Sequence, residues 1–366
     1  MTLPAIGCQH DEIDTPALCV NLDAMEQNIG AMVTACRERN LDWRPHSKCH
    51  KSPAVARKLL DAGAIGVTCA KVGEAEVMAA GGITDLLIAN QIVGPLKVRR
   101  LVELRRIADP IVCFDHLDQA RPIAEAMAAA GLSIRVLPEV DIGMERAGVA
   151  PGTATVEFAK QLNGMAGLTF AGVMGYEGHL LRIADLNEKQ QRIREDLGQL
   201  VNTAEAIRSA GIECPIVSCG GTGSYLFSVQ QPGITEIQAG GAIFMDDYYR
   251  NQCQVSGLQF ALTLVATVVS RPAADRAIID AGRKSMNPDP EMPRVINREG
   301  ITVEGLSAEH GKLHLEPQAQ DLKIGDRLIL MPGYSDFTCV LHDRFVACRK
   351  DHVEAIWPLE GRGKLQ

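Results

Sequence analysis

Basic and imidazole side chains crowd one short stretch, Asp42-Trp-Arg-Pro-His-Ser-Lys-Cys-His-Lys51, which ends a strand-like run. Nearby positive charge favours the neutral form of an amine, and a neutral amine can form an imine with a carbonyl compound. Lys48 stands at the carboxyl end of this run, flanked by Arg44, His46 and His50. We therefore predict that Lys48 is a reactive amine; the alternative is a solvated surface lysine.

A second stretch, Ser218-Cys-Gly-Gly-Thr-Gly-Ser224, has the composition of a phosphate-binding loop. Glycines at 220, 221 and 223 let backbone N–H groups point into one concavity, and Thr222 adds a hydroxyl ahead of a predicted helix. An ordinary glycine-rich turn is the alternative. A phosphate at this loop and a reactive amine at Lys48 together indicate pyridoxal 5'-phosphate, which carries an aldehyde as well as a phosphate.

Short apolar runs alternate with helical patterns from about residue 17 to residue 230, in eight strand-helix units. The first strand is predicted at residues 17–22, the second ends at Lys48, and the eighth, residues 215–219, leads to the glycine-rich loop. This alternation predicts a closed (β/α)8 TIM-like barrel. A doubly wound sheet is the second choice, since no glycine-rich dinucleotide fingerprint follows the first strand. The carboxyl ends of barrel strands meet at one face, so Tyr176 and His179 are expected near Lys48.

The sequence pattern changes in the last third of the chain, where strand-like runs are separated by Gly, Pro and Asp turns without a long amphipathic helix. A chain of 366 residues is longer than one core usually serves. We therefore predict a barrel over residues 17–254 and a β-rich domain over 255–366. The leader, residues 1–16, is expected to pack on the second domain.

Composition narrows the class of protein and its compartment. A net charge of −8 gives no electrostatic support for a nucleic-acid partner or an anionic membrane surface, although a small anionic ligand can still use a basic pocket. The eleven cysteines are odd in number and form no C-x-x-C pair, which indicates reduced thiols. No signal peptide or membrane-spanning run is evident, so the sequence predicts a cytoplasmic protein.

Seven segments, in chain order, carry a family pattern: residues 44–53, 72–76, 143–149, 217–224, 235–240, 307–311 and 353–358. In these segments the chain resembles the D-threonine aldolase and D-serine dehydratase group of pyridoxal-phosphate enzymes, which share the alanine-racemase type of barrel, fold type III. The resemblance implies pyridoxal 5'-phosphate, a small D-amino-acid substrate and a homodimer. It also implies roles for particular residues.

By resemblance, Lys48 holds the cofactor, Arg146 lies near its pyridine nitrogen and Tyr176 packs beside it. The phosphate is held by Gly221, Thr222 and Gly223, and Ser218 is a further cofactor contact. An arginine is always charged and cannot take up and return a proton at the ring nitrogen, so the ring is a weaker electron sink than one facing an aspartate. Such a site needs another charge stabiliser.

In the family that stabiliser is a divalent metal, bound through a motif of the form Pro-x-His-x-Asp or Pro-x-His-x-Cys. The equivalent here is Pro332-Gly-Tyr-Ser-Asp336, with Tyr334 in place of the histidine. A neutral phenol is a poor ligand for Mn or Zn, which leaves Asp336 as the one expected ligand. Either His310 or His342 completes a metal site, or the metal has been abandoned and Tyr334 handles a proton.

The leading functional prediction is a lyase that acts on a D-configured β-hydroxy amino acid, by retro-aldol cleavage or by dehydration. Tyr334 and His179 are the candidate bases for the β-hydroxyl proton. A racemase on the same scaffold is the main alternative, with Lys48 and a partner such as Tyr334 on opposite faces of the substrate. A non-catalytic pyridoxal-phosphate-binding protein is a third, although the β-rich domain argues against it.

Overall fold

The computed structural model describes residues 4–366 and divides them into two compact units. The barrel unit contains Ala31–Lys48, Ser52–Gly240 and Gly363–Gln366. The β unit contains the described residues up to Gly30 together with Cys49–Lys51 and Gly241–Arg362. These boundaries do not coincide with the predicted division into residues 17–254 and 255–366.

Strands and helices are numbered in chain order. The strands are β1 (Ala17–Asn21), β2 (Asp42–Trp43), β3 (Val67–Cys69), β4 (Asp85–Gln91), β5 (Asp109–Phe114), β6 (Ile134–Val140), β7 (Leu168–Phe170), β8 (Gly172–Gly175), β9 (Ile216–Cys219), β10 (Glu236–Ile237), β11 (Leu262–Ala273), β12 (Arg276–Ile279), β13 (Arg294–Val295), β14 (Ile301–Leu306), β15 (Gly311–Leu315), β16 (Arg327–Met331), β17 (Arg344–Arg349) and β18 (His352–Pro358). The helices are α1 (Leu22–Arg37), α2 (Pro53–Ala62), α3 (Val72–Ala80), α4 (Pro95–Ile107), α5 (Leu117–Ala129), α6 (Thr153–Asn163), α7 (Leu186–Ser209), α8 (Tyr225–Ser228) and α9 (Ser335–Cys339).

The sheet of the barrel unit is parallel, with strand order β2-β10-β9-β8-β6-β5-β4-β3 and β7 paired to β6. Its two end strands are also joined, because His46 forms a parallel bridge with Thr68 and the Thr68 amide donates to the Pro45 carbonyl at 2.9 Å. The strands are rich in buried Val, Ile and Leu, as expected of parallel strands covered by helices on one side and packed inside on the other. The predicted (β/α)8 architecture is confirmed.

One predicted barrel strand is wrong. Strand β1 pairs antiparallel with β11 and parallel with β17, so it lies in the sheet of the β unit. Its place in the barrel is taken by β10, a two-residue strand between β2 and β9. The four buried residues that open β1 suit the centre of any covered sheet, so their pattern cannot say which sheet they join. Lys48 therefore follows the first barrel strand, and the glycine-rich loop follows the seventh.

Helix α2 shows how the segment after Lys48 is shaped. Pro53 occupies its first turn, where a missing N–H costs no hydrogen bond, and Gly63 ends it in the left-handed conformation with φ 118°. Ser52 stands at the N-cap position, but its side chain makes no capping hydrogen bond. The helix therefore begins at Pro53 without a side-chain cap.

The β unit is built on a mostly antiparallel sheet of order β14-β15-β12-β11-β1-β17-β18, with β16 pairing both β11 and β13. The leader hydrogen-bonds to this unit: the Gly7 amide donates to the Val353 carbonyl and the His10 amide to the Asp351 carbonyl, each at 2.8 Å. An apolar cluster that includes Ile13 and Val265 lies beside it. Residues 1–3 of the predicted leader lie outside the described residues.

Two structural observations concern the cysteines and the helices. Each of the eleven cysteines lies in the described part of the chain, and none forms a disulfide there. Over residues 4–366, no helix has the length and apolar character needed to cross a membrane.

Candidate active site

Lys48 lies in a 3-10 turn, Ser47–Cys49, that begins shortly after β2. Its backbone amide donates to Nδ1 of His46 at 3.3 Å, and the His46 amide donates to the Gln238 carbonyl at 3.0 Å. Gly240 packs so closely on the His46 carbonyl that a Cβ there would overlap it. The turn that carries Lys48 is therefore held by the segment after β10.

Glu74 fixes the same turn from the other side. It lies near the start of α3, and its side chain is completely buried. The Ser47 hydroxyl donates to its Oε1 at 2.6 Å, and the Ala70 amide donates to its Oε2 at 2.9 Å. Sequence reasoning placed Glu74 in a family segment without a role; the structure makes it the partner of the residue before Lys48.

Arg44 is buried and paired with two carboxylates. Its Nε lies 2.8 Å from Glu236, and its Nη1 lies 2.9 Å from Asp85. Burial opposes the charge, but the two carboxylates outweigh it and raise the pKa of Arg44. Since its charge is compensated, Arg44 is not the uncompensated positive neighbour of Lys48 that the sequence argument assumed.

Ser218 belongs to the network beneath the site. Its hydroxyl donates to Oε1 of Glu236 at 2.7 Å and accepts from Nε2 of Gln238 at 2.9 Å. The side chain is completely buried. Its hydroxyl hydrogen is thus committed to Glu236, and a contact between Ser218 and a cofactor stays a prediction.

The glycine-rich loop has free donors that fit a phosphate. The Thr222 hydroxyl is buried and has no hydrogen-bond partner. Within residues 4–366, the amides of Thr222 and Gly223 have no hydrogen-bond acceptor either. Buried donors are normally satisfied, so two amides and a hydroxyl on adjacent residues suit an anion with several acceptor oxygens. The helix predicted after this loop is present but short, since α8 has only four residues, Tyr225–Ser228.

Tyr176 brings three loops together. A Cβ at Gly221 would lie 3.0 Å from its ring and from its hydroxyl oxygen, so the glycine is needed for this approach. The guanidinium of Arg146 lies 5.9 Å from the centre of the same ring, and its Nη2 lies 3.5 Å from Oε1 of Glu139. Burial raises the pKa of Glu139, against the effects of Gln91 and Arg146. The predicted residues Arg146, Tyr176 and Gly221 are thus adjacent.

His179 has a carboxylate partner that the sequence did not reveal. Its Nε2 lies 2.9 Å from Oδ2 of Asp196, a buried residue of α7. Burial raises the pKa of Asp196, with His179 acting in the opposite direction. Gly143, in the loop that leads to Arg146, packs on both: a Cβ there would lie 2.9 Å from Nε2 of His179. One ring nitrogen of the predicted base is therefore engaged.

Tyr334 and Asp336 lie in the β unit, between β16 and α9 and at the start of α9. The Tyr334 hydroxyl donates to Oδ2 of Asp336 at 3.0 Å. The rings of Tyr248, Tyr249 and Phe337 surround Tyr334 with centroid distances of 4.9 to 5.8 Å. Burial, with a further contribution from Asp336, raises the pKa of Tyr334 well above its ordinary value. Tyr334 is thus part of an aromatic cluster as well as the partner of Asp336.

The donor set around Asp336 does not fit a divalent transition metal. Nε2 of His342 is engaged with the Ser285 carbonyl at 2.8 Å, and burial lowers the pKa of that histidine. His310 is exposed. Across the described residues, no three or more His, Cys, Asp or Glu side chains are grouped as metal ligands. Neither histidine completes a metal site of that kind with Asp336, so that alternative is not supported.

Two family models match most of the chain. The alanine racemase N-terminal domain matches residues 20–247, and the putative serine dehydratase domain matches residues 261–348. The two matches cover the segments that supply Lys48, the glycine-rich loop and Tyr334.

Three kinds of enzyme are similar over nearly the whole chain. A D-threonine aldolase of Arthrobacter sp is 37% identical, over 96% of this chain and 93% of its own, and the crystal structure of a D-threonine aldolase from Filomicrobium marinum, also 37% identical, superposes with a TM-score of 0.97 over 100% of both chains. A 3-hydroxy-D-aspartate aldolase of Paracoccus denitrificans is 34% identical over 99% of this chain and 96% of its own. A D-threo-3-hydroxyaspartate dehydratase of Delftia sp. is 30% identical over 94% and 97%.

Proposed function

The chain belongs to the alanine racemase N-terminal domain family, and we propose that it is a pyridoxal-phosphate-dependent lyase acting on D-configured β-hydroxy amino acids. The observation that carries the proposal is that Lys48 and the glycine-rich loop follow nearby strands of one sheet. They follow β2 and β9, which are separated only by β10. This cofactor requires an amine at its aldehyde end and available hydrogen-bond donors at its phosphate end.

The family implies the cofactor, and the residues present fit it. Lys48 would hold its aldehyde end, and Thr222 and Gly223 would hold its phosphate through two amides and the unpartnered Thr222 hydroxyl. When bound, the cofactor supplies an electron-accepting ring for the electrons released at the substrate α-carbon. We assign Gly221 to the close approach of Tyr176, since the Gly221 amide already donates to Oγ of Ser224.

Arg146 and Tyr176 flank this site. We assign Arg146 to the pyridine nitrogen. Its guanidinium stays charged at neutral pH, so it cannot take up and return a proton there. Glu139 lies 3.5 Å from its Nη2 and orients it, and the Tyr176 ring lies beside its guanidinium. Support for both roles comes from the adjacency of Arg146, Tyr176 and the glycine-rich loop.

Two side chains are candidates for the base that takes the β-hydroxyl proton. His179 and Tyr334 each have a carboxylate partner, Asp196 and Asp336 respectively, that can orient them. In retro-aldol cleavage this base removes the hydroxyl proton as the Cα–Cβ bond breaks. In dehydration a base removes the α-proton instead, the Cβ–O bond breaks, and the leaving hydroxyl takes up a proton to give water. The aldolases among the relatives favour cleavage, and the dehydratase supports the second reaction as the other candidate.

Incubation of the purified protein and pyridoxal 5'-phosphate with D-threonine, D-serine and 3-hydroxy-D-aspartate tests the proposal. Aldehyde together with glycine identifies cleavage, and ammonia together with a keto acid identifies dehydration. Interconversion of D and L forms without either product would identify the racemase. A protein that binds the cofactor but changes none of these substrates would support a non-catalytic role.

We also propose that the protein is a cytoplasmic homodimer. The family resemblance supports the dimer, and the cysteines, none of which forms a disulfide within residues 4–366, support a reducing compartment. Light scattering at working concentration should give twice the mass of the 39.5 kDa chain. A monomer mass would contradict the dimer.

A further inference from the structure

Glu177 is a buried carboxylate with no part in the chemistry described so far. It follows Tyr176 after β8, its side chain is fully shielded from solvent, and it forms no ion pair within the described part of the chain. Its Oε1 accepts two hydrogen bonds, from the hydroxyl of Ser224 at 2.5 Å and from that of Ser228 at 2.6 Å. Among the described residues, its Oε2 has no hydrogen-bond partner.

Ser224 links this carboxylate to the glycine-rich loop. The Gly221 amide donates to Oγ of Ser224 at 3.2 Å. A hydroxyl has one hydrogen and two acceptor positions, so donation of the hydrogen to Glu177 leaves its lone pairs available for the Gly221 amide. Glu177, Ser224 and Gly221 thus form a chain of hydrogen bonds from the core to the loop.

This series of hydrogen bonds determines which donors of the glycine-rich loop remain available. The Gly221 amide is committed to Ser224, while the Thr222 and Gly223 amides and the Thr222 hydroxyl stay without an acceptor within residues 4–366. Without an acceptor for its hydrogen, the Ser224 hydroxyl would turn towards the Gly221 carbonyl, which lies 3.3 Å away. The Ser224 side chain would then no longer be anchored to the core, so its oxygen would hold the Gly221 amide less firmly and would constrain the next two residues less.

A carboxylate at this place needs a reason, because burying it without a cation costs free energy and its charge repels a phosphate. A hydrogen bond to a carboxylate is shorter and stronger than one to a neutral acceptor, which suits a loop that must be held before an anion arrives. We propose that Glu177 is a positioning residue for the phosphate-binding loop, acting through Ser224 and Gly221. The inference rests on the proposed function, since it takes the cofactor phosphate as the ligand of this loop.

The test compares pyridoxal 5'-phosphate with pyridoxal, which has the same ring and aldehyde but no phosphate. Dissociation constants for both are measured by absorbance and by quenching of intrinsic fluorescence, on full-length protein freed of cofactor. In Glu177→Ala and in Ser224→Ala, the preference for the phosphorylated compound should fall by about tenfold, as expected for loss of one charge-assisted hydrogen bond. The affinity for pyridoxal should stay within about twofold of the wild type, because the loop contacts only the phosphate.

Two further variants separate positioning from general damage. Glu177→Gln keeps an acceptor oxygen for both serines and should restore most of the preference. Thr203→Ala is the matched control, because the Thr203 hydroxyl also accepts a glycine amide, that of Gly152 at 2.9 Å, directly before α6 and outside the glycine-rich loop. It should leave the preference unchanged.

The outcomes distinguish the inference from the function on which it rests. Glu177→Ala and Ser224→Ala proteins that keep the wild-type preference, or that lose both compounds in parallel, overturn the positioning role. Wild-type protein that binds neither compound overturns the proposed function as well. A selective loss of the phosphorylated compound that Glu177→Gln repairs supports the inference.

Discussion

The hydroxyl of Ser47 donates a 2.6 Å hydrogen bond to the buried carboxylate of Glu74, and this bond ties the residue before Lys48 to helix α3. The second oxygen of Glu74 holds the Ala70 amide at 2.9 Å. The loop after β3 and the turn after β2 are therefore joined through one carboxylate. Any change at Glu74 should act both on stability and on the candidate lysine.

We predict that Glu74→Leu lowers the free energy of unfolding by about 1 to 3 kcal/mol, because it removes the acceptor of the partly buried Ala70 amide and leaves the Ser47 hydroxyl only its longer contact with the Thr68 carbonyl. The measurement is urea unfolding followed by circular dichroism. Glu76→Leu, two residues along the same helix, removes a partly exposed pair with Arg100 and should cost less than about 1 kcal/mol. Equal losses in the two variants would show that Glu74 has no special structural role.

A second prediction concerns the two lysines of the basic stretch. Lys48→Ala should abolish the visible absorbance of the protein-bound cofactor, because we assign to Lys48 the amine that holds it. Lys51→Ala should retain it: Lys51 lies in the β unit, with φ 54° and with its carbonyl accepting the Gly361 amide at 2.8 Å. Alanine has the same Cβ and meets a similar backbone cost there. The opposite pair of spectra would mean that Lys51 carries the cofactor.

The barrel could be predicted from the sequence because its longer strands, such as β4, β5 and β6, show an apolar run beside a helix. Strand β10 has two residues and shows no period, and β1 is buried like a barrel strand although its partners are β11 and β17. Hydrophobic patterning reports that a strand is covered but does not report which strand lies next to it.

The candidate site was predicted only in part, for a related reason. Glycine and threonine residues at a strand end indicate a phosphate site, and a lysine at a strand end indicates a reactive amine. Thr222 and Lys48 were predicted in this way. Carboxylates are usually exposed, so Glu74 and Glu177 gave no sign of being buried supports. The available signal was position: Glu74 lies in a family segment, and Glu177 directly follows Tyr176.

A third prediction tests the glycine-rich loop by bulk. Gly221→Val should weaken binding of pyridoxal 5'-phosphate by at least about tenfold. A Cβ at this position would lie 3.0 Å from the Tyr176 ring, and the two methyl groups of valine would displace that ring. Isothermal titration calorimetry on the cofactor-free protein gives the affinity. Gly198→Val, on helix α7 with open space around the position, is the control and should bind as the wild type does. Unchanged affinity in Gly221→Val would place the phosphate elsewhere.

The last prediction concerns Tyr334, which stands where the family resemblance implies a metal-binding histidine. Its hydroxyl donates to Asp336 at 3.0 Å, and no group of three or more ligand side chains is formed by the described residues. A phenol and one carboxylate bind Mn or Zn weakly, so a chelator such as EDTA should leave activity largely intact. Tyr334→His should raise the affinity for Zn or Mn by at least about tenfold in calorimetry, because an imidazole and a carboxylate form a suitable pair.

Tyr334→Phe separates the loss of the hydroxyl from the gain of a ligand, since it keeps the ring contacts with Tyr248, Tyr249 and Phe337. It should bind no more metal than the wild type, and it should lose activity if the hydroxyl moves a proton. The competing explanation is that water molecules and further side chains complete a metal site around Asp336. That explanation requires activity to vanish with the chelator and to return on addition of a divalent ion, and this result would replace the metal-independent reaction proposed for Tyr334.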